Sequence, residues 1–118
     1  VSHVSKPGMM QAAETSRSPV VVTHTACRAL CDHPRGIDDE QLDMIRQVGG
    51  VAQITALDAF LKAVPKGQKN DASVEDMARH VDHAVARIGI EHVGLSSDFD
   101  GGGGIAGWKD ASETAGLT

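Results

Sequence analysis

His3 and His24 stand 21 positions apart, each closing a short apolar run, "VSH" and "VVVTH". If both runs are strands of one parallel sheet, about one β/α unit separates them and their imidazoles share a crevice at the strand ends. Two imidazoles suit a zinc ion, although zinc normally takes three or four protein ligands. Neutral histidine also serves as a general base or as a hydrogen-bonded structural residue, and spacing alone leaves these readings open. Asp98 directly follows another apolar run, "HVGLSS". A carboxylate there moves protons or orients a nucleophilic water; the competing reading is a turn aspartate bonded to its own backbone. Asp100 fits that turn role. Arg35, in "HPRG", is either a fork for a substrate carboxylate or a solvated surface arginine.

The segment "SSDFDGGGG" places four glycines directly after two carboxylates. A phosphate cradle offers backbone N–H groups at a helix start, and the preceding anions would repel phosphate. An EF-hand loop counted from Asp98 would need a glutamate at its twelfth position, where Lys109 stands. Two readings survive: a backbone that takes positive φ or admits a ligand beside a strand-end carboxylate, and a plain flexible linker. Cys27 and Cys31 read as two reduced, partly buried thiols on one helix face, with a weaker metal reading through Asp32 and His33. His83 projects away from the apolar stripe of a helix and His80 flanks it, so both read as surface or helix-packing residues, while His33 and His92 show no partner in the sequence.

These residues need elements to hold them. "VSHVS" reads as the tail of a strand, followed by Ser5 as a cap for "KPGMMQAAET", with Pro7 in the first turn. "VVVTH" reads as a buried strand, "TACRALC" as a short helical stretch and "DHPRG" as a loop. Asp38 with Gln41 forms a capping-box pattern for a helix carrying Leu42, Ile45 and Val48 on one face and closed by Gly49 and Gly50. "GVAQIT" is the third predicted strand and ends at Thr55. "LDAFLKAVPKGQKN" reads as a long loop. Ser73 caps the clearest helix, with Val74, Met77, Val81, Ala84, Val85 and Ile88 on one stripe and Gly89 as its stop. "IEHVGLSS" is the last strand. The alternation predicts an α/β fold of about four β/α units with parallel strands, whose ligand groups gather at the strand C-terminal ends.

Composition bounds the partners. The 118 residues carry 41% hydrophobic and 23% charged residues, ordinary values for a soluble globular domain. A net charge of -5 and only three aromatics, Phe60, Phe99 and Trp108, argue against nucleic acid. No apolar run approaches the roughly 20 residues of a membrane span, and "VSHVSKPGMM" lacks the regions of a signal peptide. A soluble protein is expected. "ASETAGLT" has no lipid-anchor pattern.

Taken in order, "VSHVS", "SPVVVTHT", "HPRGIDDEQL", "GGVAQI", "HVDHAVARIGIEHVGLSSDFDGGGG" and "GWKDASET" resemble the membrane dipeptidase (renal dipeptidase) family of zinc peptidases, and its bacterial branch most closely. The resemblance implies a (β/α)8 TIM-like barrel with two bridged zinc ions that hydrolyses dipeptides through a metal-bridged hydroxide. It implies that His3 and His24 hold one zinc. Arg35 would bind the substrate carboxylate, and Asp98 would bond the substrate amino group and assist proton transfer. The family's His-x-Asp pair for the other zinc and its bridging glutamate have no counterpart here, so residues 1–118 are expected to be one partial domain, the C-terminal half of the barrel. Alone, such a half exposes strand edges and an apolar inner face, and is expected to bind zinc weakly, to have little or no activity, and to be unstable or associate with a second copy as a homodimer. "THT" stands where "SHS" is common, Gly36 where asparagine is common, and Phe60 where tyrosine occurs. A non-catalytic barrel half acting as an assembly or binding module is the alternative, with another amidohydrolase-like metal hydrolase behind it.

Overall fold

Short-range chemistry starts each helix of the computed structural model, which describes residues 1–117. Ser5 accepts a hydrogen bond from the Gly8 N–H at 3.3 Å and opens α1, Lys6–Thr15, with Pro7 in its first turn. Strand β1 covers Val21–Thr25. Asp38 and Gln41 cap α2, Asp39–Gln47, reciprocally: the Gln41 N–H donates to Asp38 Oδ1 at 3.0 Å and the Asp38 N–H to Gln41 Oε1 at 3.1 Å. Strand β2 covers Val51–Thr55, and the four-residue α3 covers Asp58–Leu61. The Ser73 N–H donates to the Asp76 carboxylate at 3.0 Å at the start of α4, Val74–Ile88, and Gly89 ends it at φ 90°. A 3-10 turn at Ile90–His92 leads into β3, Val93–Ser96.

The strands form one parallel sheet in the order β1-β2-β3. Ala52 pairs with Val93 and Ile54 with Leu95, so these side chains share the face covered by the helices. Ala52 and Ile54 are fully buried there with Val22, Leu42, Ile45, Met77, Ala84 and Ile88. Val51, Gln53, Gly94 and Ser96 alternate with them and are only half-buried, so the other face of the sheet carries no helical layer. The register between β1 and β2 shifts between Val22 and Thr25, a bulge that falls on Thr23 and His24. Bulges re-aim side chains, and this one sits where the site begins.

Three sequence expectations change, and of the surface and helix-packing readings of His80 the second holds. Among the described residues there are three strands rather than four: "VSHVS" lies beside β1 but pairs only in part. The N-terminal amine donates to the Val21 carbonyl at 2.7 Å, but the Thr23 N–H goes to the Ser2 hydroxyl at 2.9 Å, and His3 at φ 63° turns the chain away. "TACRALC" is not a helix, because its backbone bridges Ile37: the Arg28 N–H donates to the Ile37 carbonyl at 2.8 Å and the Ile37 N–H to the Ala26 carbonyl at 2.9 Å. The expected long loop contains α3, which buries Phe60 and Leu61. His80 is a core residue, 1% exposed. No helix among the described residues is long and apolar enough to cross a membrane.

Candidate functional site

The bulge at the end of β1 delivers His24 half-buried at the C-terminal side of the sheet. His3, exposed and in the left-handed region, brings its Nε2 within 2.8 Å of His24 Nε2, with ring centroids 4.8 Å apart. Beyond β1, the loop folded back by the Cys27–Ile37 bridge carries Arg35, whose carbonyl accepts from the Thr25 hydroxyl at 3.1 Å. The His33 ring accepts the Arg35 N–H at 3.1 Å and packs on Phe60 at 4.5 Å. These contacts aim the Arg35 guanidinium at His24 Nε2, 3.2 Å away, and leave it 5.6 Å from the centre of the Phe60 ring. Among the described residues Arg35 forms no ion pair, so its donors stay open to an anion.

Burial pushes the His24 pKa below its ordinary value; the charges of His3 and Arg35 push the same way and that of Asp98 opposes them. Burial likewise lowers His33, helped by Arg35 and Arg28. A cavity of about 290 Å³ opens beside His3, His24 and Arg35, with Lys6 and Arg28 on its wall. Lys6 is held by Asp38 at 2.6 Å, and the Arg28 guanidinium donates to the Pro34 carbonyl at 3.2 Å. The Arg35 guanidinium, bonded only to His24 through one Nη, is therefore the wall's guanidinium with neither an anionic nor a carbonyl partner among the described residues.

Asp98 follows β3 in the left-handed region, at φ 51°, and stands outside the lining of that cavity, acting on His24 only through its charge. Its carbonyl accepts the N–H groups of Gly101 at 2.9 Å and Gly103 at 2.8 Å, and the Gly104 N–H donates to the Ala56 carbonyl at 2.7 Å, tying the loop to the end of β2. A Cβ on Gly103 would stand 1.9 Å from the Ser97 carbonyl oxygen, and one on Gly101 would stand 2.4 Å from Asp98 Oδ1. The glycine run is a folded loop packed against Asp98, and the linker reading fails on these contacts. His3 and Asp98 are the two non-glycine residues with positive φ among the described residues. Such conformations concentrate where function over-determines the backbone.

The donor set fits a metal in part. Tetrahedral zinc with nitrogen at about 2.0–2.1 Å separates two ligand nitrogens by about 3.3 Å, close to the convergence of the two Nε2 atoms. No group of three or more His, Cys, Asp or Glu side chains able to hold a metal occurs among the described residues, so His3 and His24 supply two ligands and no more. The cysteines lie outside this set. Both are free and buried, and burial pushes the Cys27 thiol up to about 12 and raises Cys31 as well. Sequence reasoning missed Thr23 and Ser2, whose hydroxyls back His24; Thr55, read from the sequence as a strand end, has a buried hydroxyl with no partner among the described residues. Thr23 carried one signal only, its place directly before His24.

Two imidazoles and a guanidinium gathered past the C-terminal end of β1, with a carboxylate just past the end of β3, define an α/β chain with a polar site in the position such folds reserve for ligands. The chain belongs to the membrane dipeptidase family, peptidase family M19, whose model matches residues 1–118. It is 38% identical over 101 residues to dipeptidase verJ of Clonostachys rogersoniana, covering 86% of this chain and 24% of that protein. Its structure is similar to that of the probable dipeptidase PvdM from Pseudomonas aeruginosa, with a TM-score of 0.92, 27% identity, and coverage of 99% of this chain and 42% of that one. It is also similar to a metallo peptidase from Rhodobacter sphaeroides liganded with a phosphinate mimic of the dipeptide L-Ala-D-Ala: TM-score 0.87, 32% identity, 98% of this chain and 33% of that one. The chain thus spans well under half the length of each relative.

Proposed function

We propose that residues 1–118 are one partial domain, the C-terminal half of a (β/α)8 barrel, and that they supply half of the site of a zinc-dependent dipeptidase. The observation that carries this reading is the convergence of His3 and His24 Nε2 at 2.8 Å beneath the unpaired Arg35, in a chain of the M19 family. His3 and His24 are the metal ligands. When bound, zinc supplies Lewis-acid polarisation of the peptide carbonyl and a nucleophilic water at neutral pH. Arg35 forks onto the C-terminal carboxylate of the dipeptide and sets its register, with Phe60 packed beside the guanidinium. Asp98 accepts a hydrogen bond from the substrate amino group and carries the proton toward the leaving amine.

The remaining ligands come from other strands of the barrel, so the isolated chain has little or no activity and, with uncovered sheet edges, pairs with another copy. The test is dipeptide hydrolysis by the product of the full open reading frame that encodes these residues, beside its His24→Ala variant and after chelation. Zinc-restorable hydrolysis that falls at least 100-fold in the variant is expected. Hydrolysis that survives both chelation and His24→Ala would falsify the metal reading, and an inactive full-length product favours a binding or assembly module.

A further inference from the structure

The hydrogen bonds around His24 fix which of its ring nitrogens carries the proton. Arg35 has only donors, so its 3.2 Å contact requires a lone pair on His24 Nε2, and the neutral ring must then carry its proton on Nδ1. That Nδ1 lies 2.9 Å from the Thr23 hydroxyl, which accepts from it. The Thr23 hydroxyl, having accepted, donates to the Ser2 hydroxyl at 2.9 Å, and the Ser2 oxygen also accepts the Thr23 N–H at 2.9 Å. His3 then donates its own Nε2–H into the same lone pair at 2.8 Å, sharing it with Arg35. The opposite tautomer would set an Nε2–H against the Arg35 N–H groups. We propose that Thr23, backed by Ser2, is the positioning residue that holds His24 as its Nδ1–H tautomer and presents the Nε2 lone pair to the metal.

This inference rests on the metal reading above, and the bulge at Thr23–His24 gives it a structural cause: the shifted register frees the Thr23 side chain to turn back on the adjacent ring. Loss of such a supporting partner costs roughly 10- to 100-fold in metal affinity. Thr23 is exposed, so water replaces part of the lost acceptor, and the expected fall lies near the lower end.

The test is NMR on the histidine-15N-labelled product of the full open reading frame that encodes these residues, first stripped of metal and then during zinc titration, for the unaltered protein, Thr23→Val and Thr23→Ser. The unaltered chain should show His24 protonated at Nδ1. Thr23→Val should move the ring toward a tautomer mixture and weaken zinc binding about tenfold. Thr23→Ser, which keeps the hydroxyl, should restore both. An Nε2–H tautomer in the unaltered chain overturns the proposal without any variant, and so does a Thr23→Val chain with unchanged tautomer and zinc affinity. If Thr23→Val fails to fold, Ser2→Ala takes its place, and an unchanged tautomer and affinity there overturn the relay. Because the tautomer is read before zinc is added, the two failures are distinct: zinc that leaves the His3 and His24 resonances unmoved overturns the metal reading, and the role of Thr23 with it.

Discussion

Replacing His80 by leucine should cost more than its place on a helix suggests. The ring is 1% exposed and joins three parts of the chain: its Nδ1 accepts the Cys27 N–H at 2.9 Å, its Nε2–H donates to the Leu61 carbonyl at 3.1 Å, and its backbone belongs to α4. His80→Leu leaves two buried backbone groups without partners, at about 1–3 kcal/mol each, and the more apolar side chain returns roughly 1–2 kcal/mol. The expected net loss is about 1–4 kcal/mol near neutral pH. Urea unfolding followed through Trp108, the single tryptophan and a buried one, reads it.

The pH dependence of that loss has a definite sign. Burial lowers the His80 pKa, with the Leu61 carbonyl and Asp76 opposing and His83 assisting. A ring that must stay neutral when folded contributes stability above its unfolded pKa of 6.5 and loses it as pH falls below that value. The wild-type advantage over His80→Leu should therefore narrow on acidification, by at most about 1.4 kcal/mol per pH unit. An unchanged urea midpoint at pH 7.5, or a gap that widens toward pH 5.5, refutes the reasoning.

Gly103→Ala should lower stability by about 1–3 kcal/mol, measured by thermal unfolding, because its Cβ would meet the Ser97 carbonyl at 1.9 Å and the loop under Asp98 must shift. Arg35→Lys in the full-length enzyme should raise the KM for dipeptides more than it lowers kcat, since a point charge replaces a two-donor fork; steady-state kinetics showing an unchanged KM would contradict the carboxylate assignment.

Capping and periodicity were legible because they act within one turn: Ser5, the Asp38–Gln41 pair, Ser73 and Gly89 all mark helix ends as the sequence implies. Strands β1 and β2 read out through β-branched runs. The failures share a different origin. "VSHVS" has strand composition, yet one left-handed residue and one serine hydroxyl divert its pairing, and composition records neither. "TACRALC" has helical spacing, but the bridge to Ile37 overrides it. His80 flanks the apolar stripe, three residues after Met77 and four before Ala84, and its burial was within reach, but its two partners, Cys27 and Leu61, lie 53 and 19 residues away and no local pattern names them. At the site, His3, His24, Arg35 and Asp98 were visible as residue types next to strand ends. The hydroxyl support from Thr23 was not, since it depends on a bulge that only strand pairing creates.

The left-handed backbones of His3 and Asp98 also bear on how this protein would respond to selection. Each holds an L-residue in a conformation that glycine adopts without the roughly 1–2 kcal/mol penalty. A library screened only for heat resistance should therefore accumulate glycine at positions 3 and 98, discarding an imidazole and a carboxylate in the process. Fixing those two codons, and randomising elsewhere, separates gains in robustness from erosion of the site.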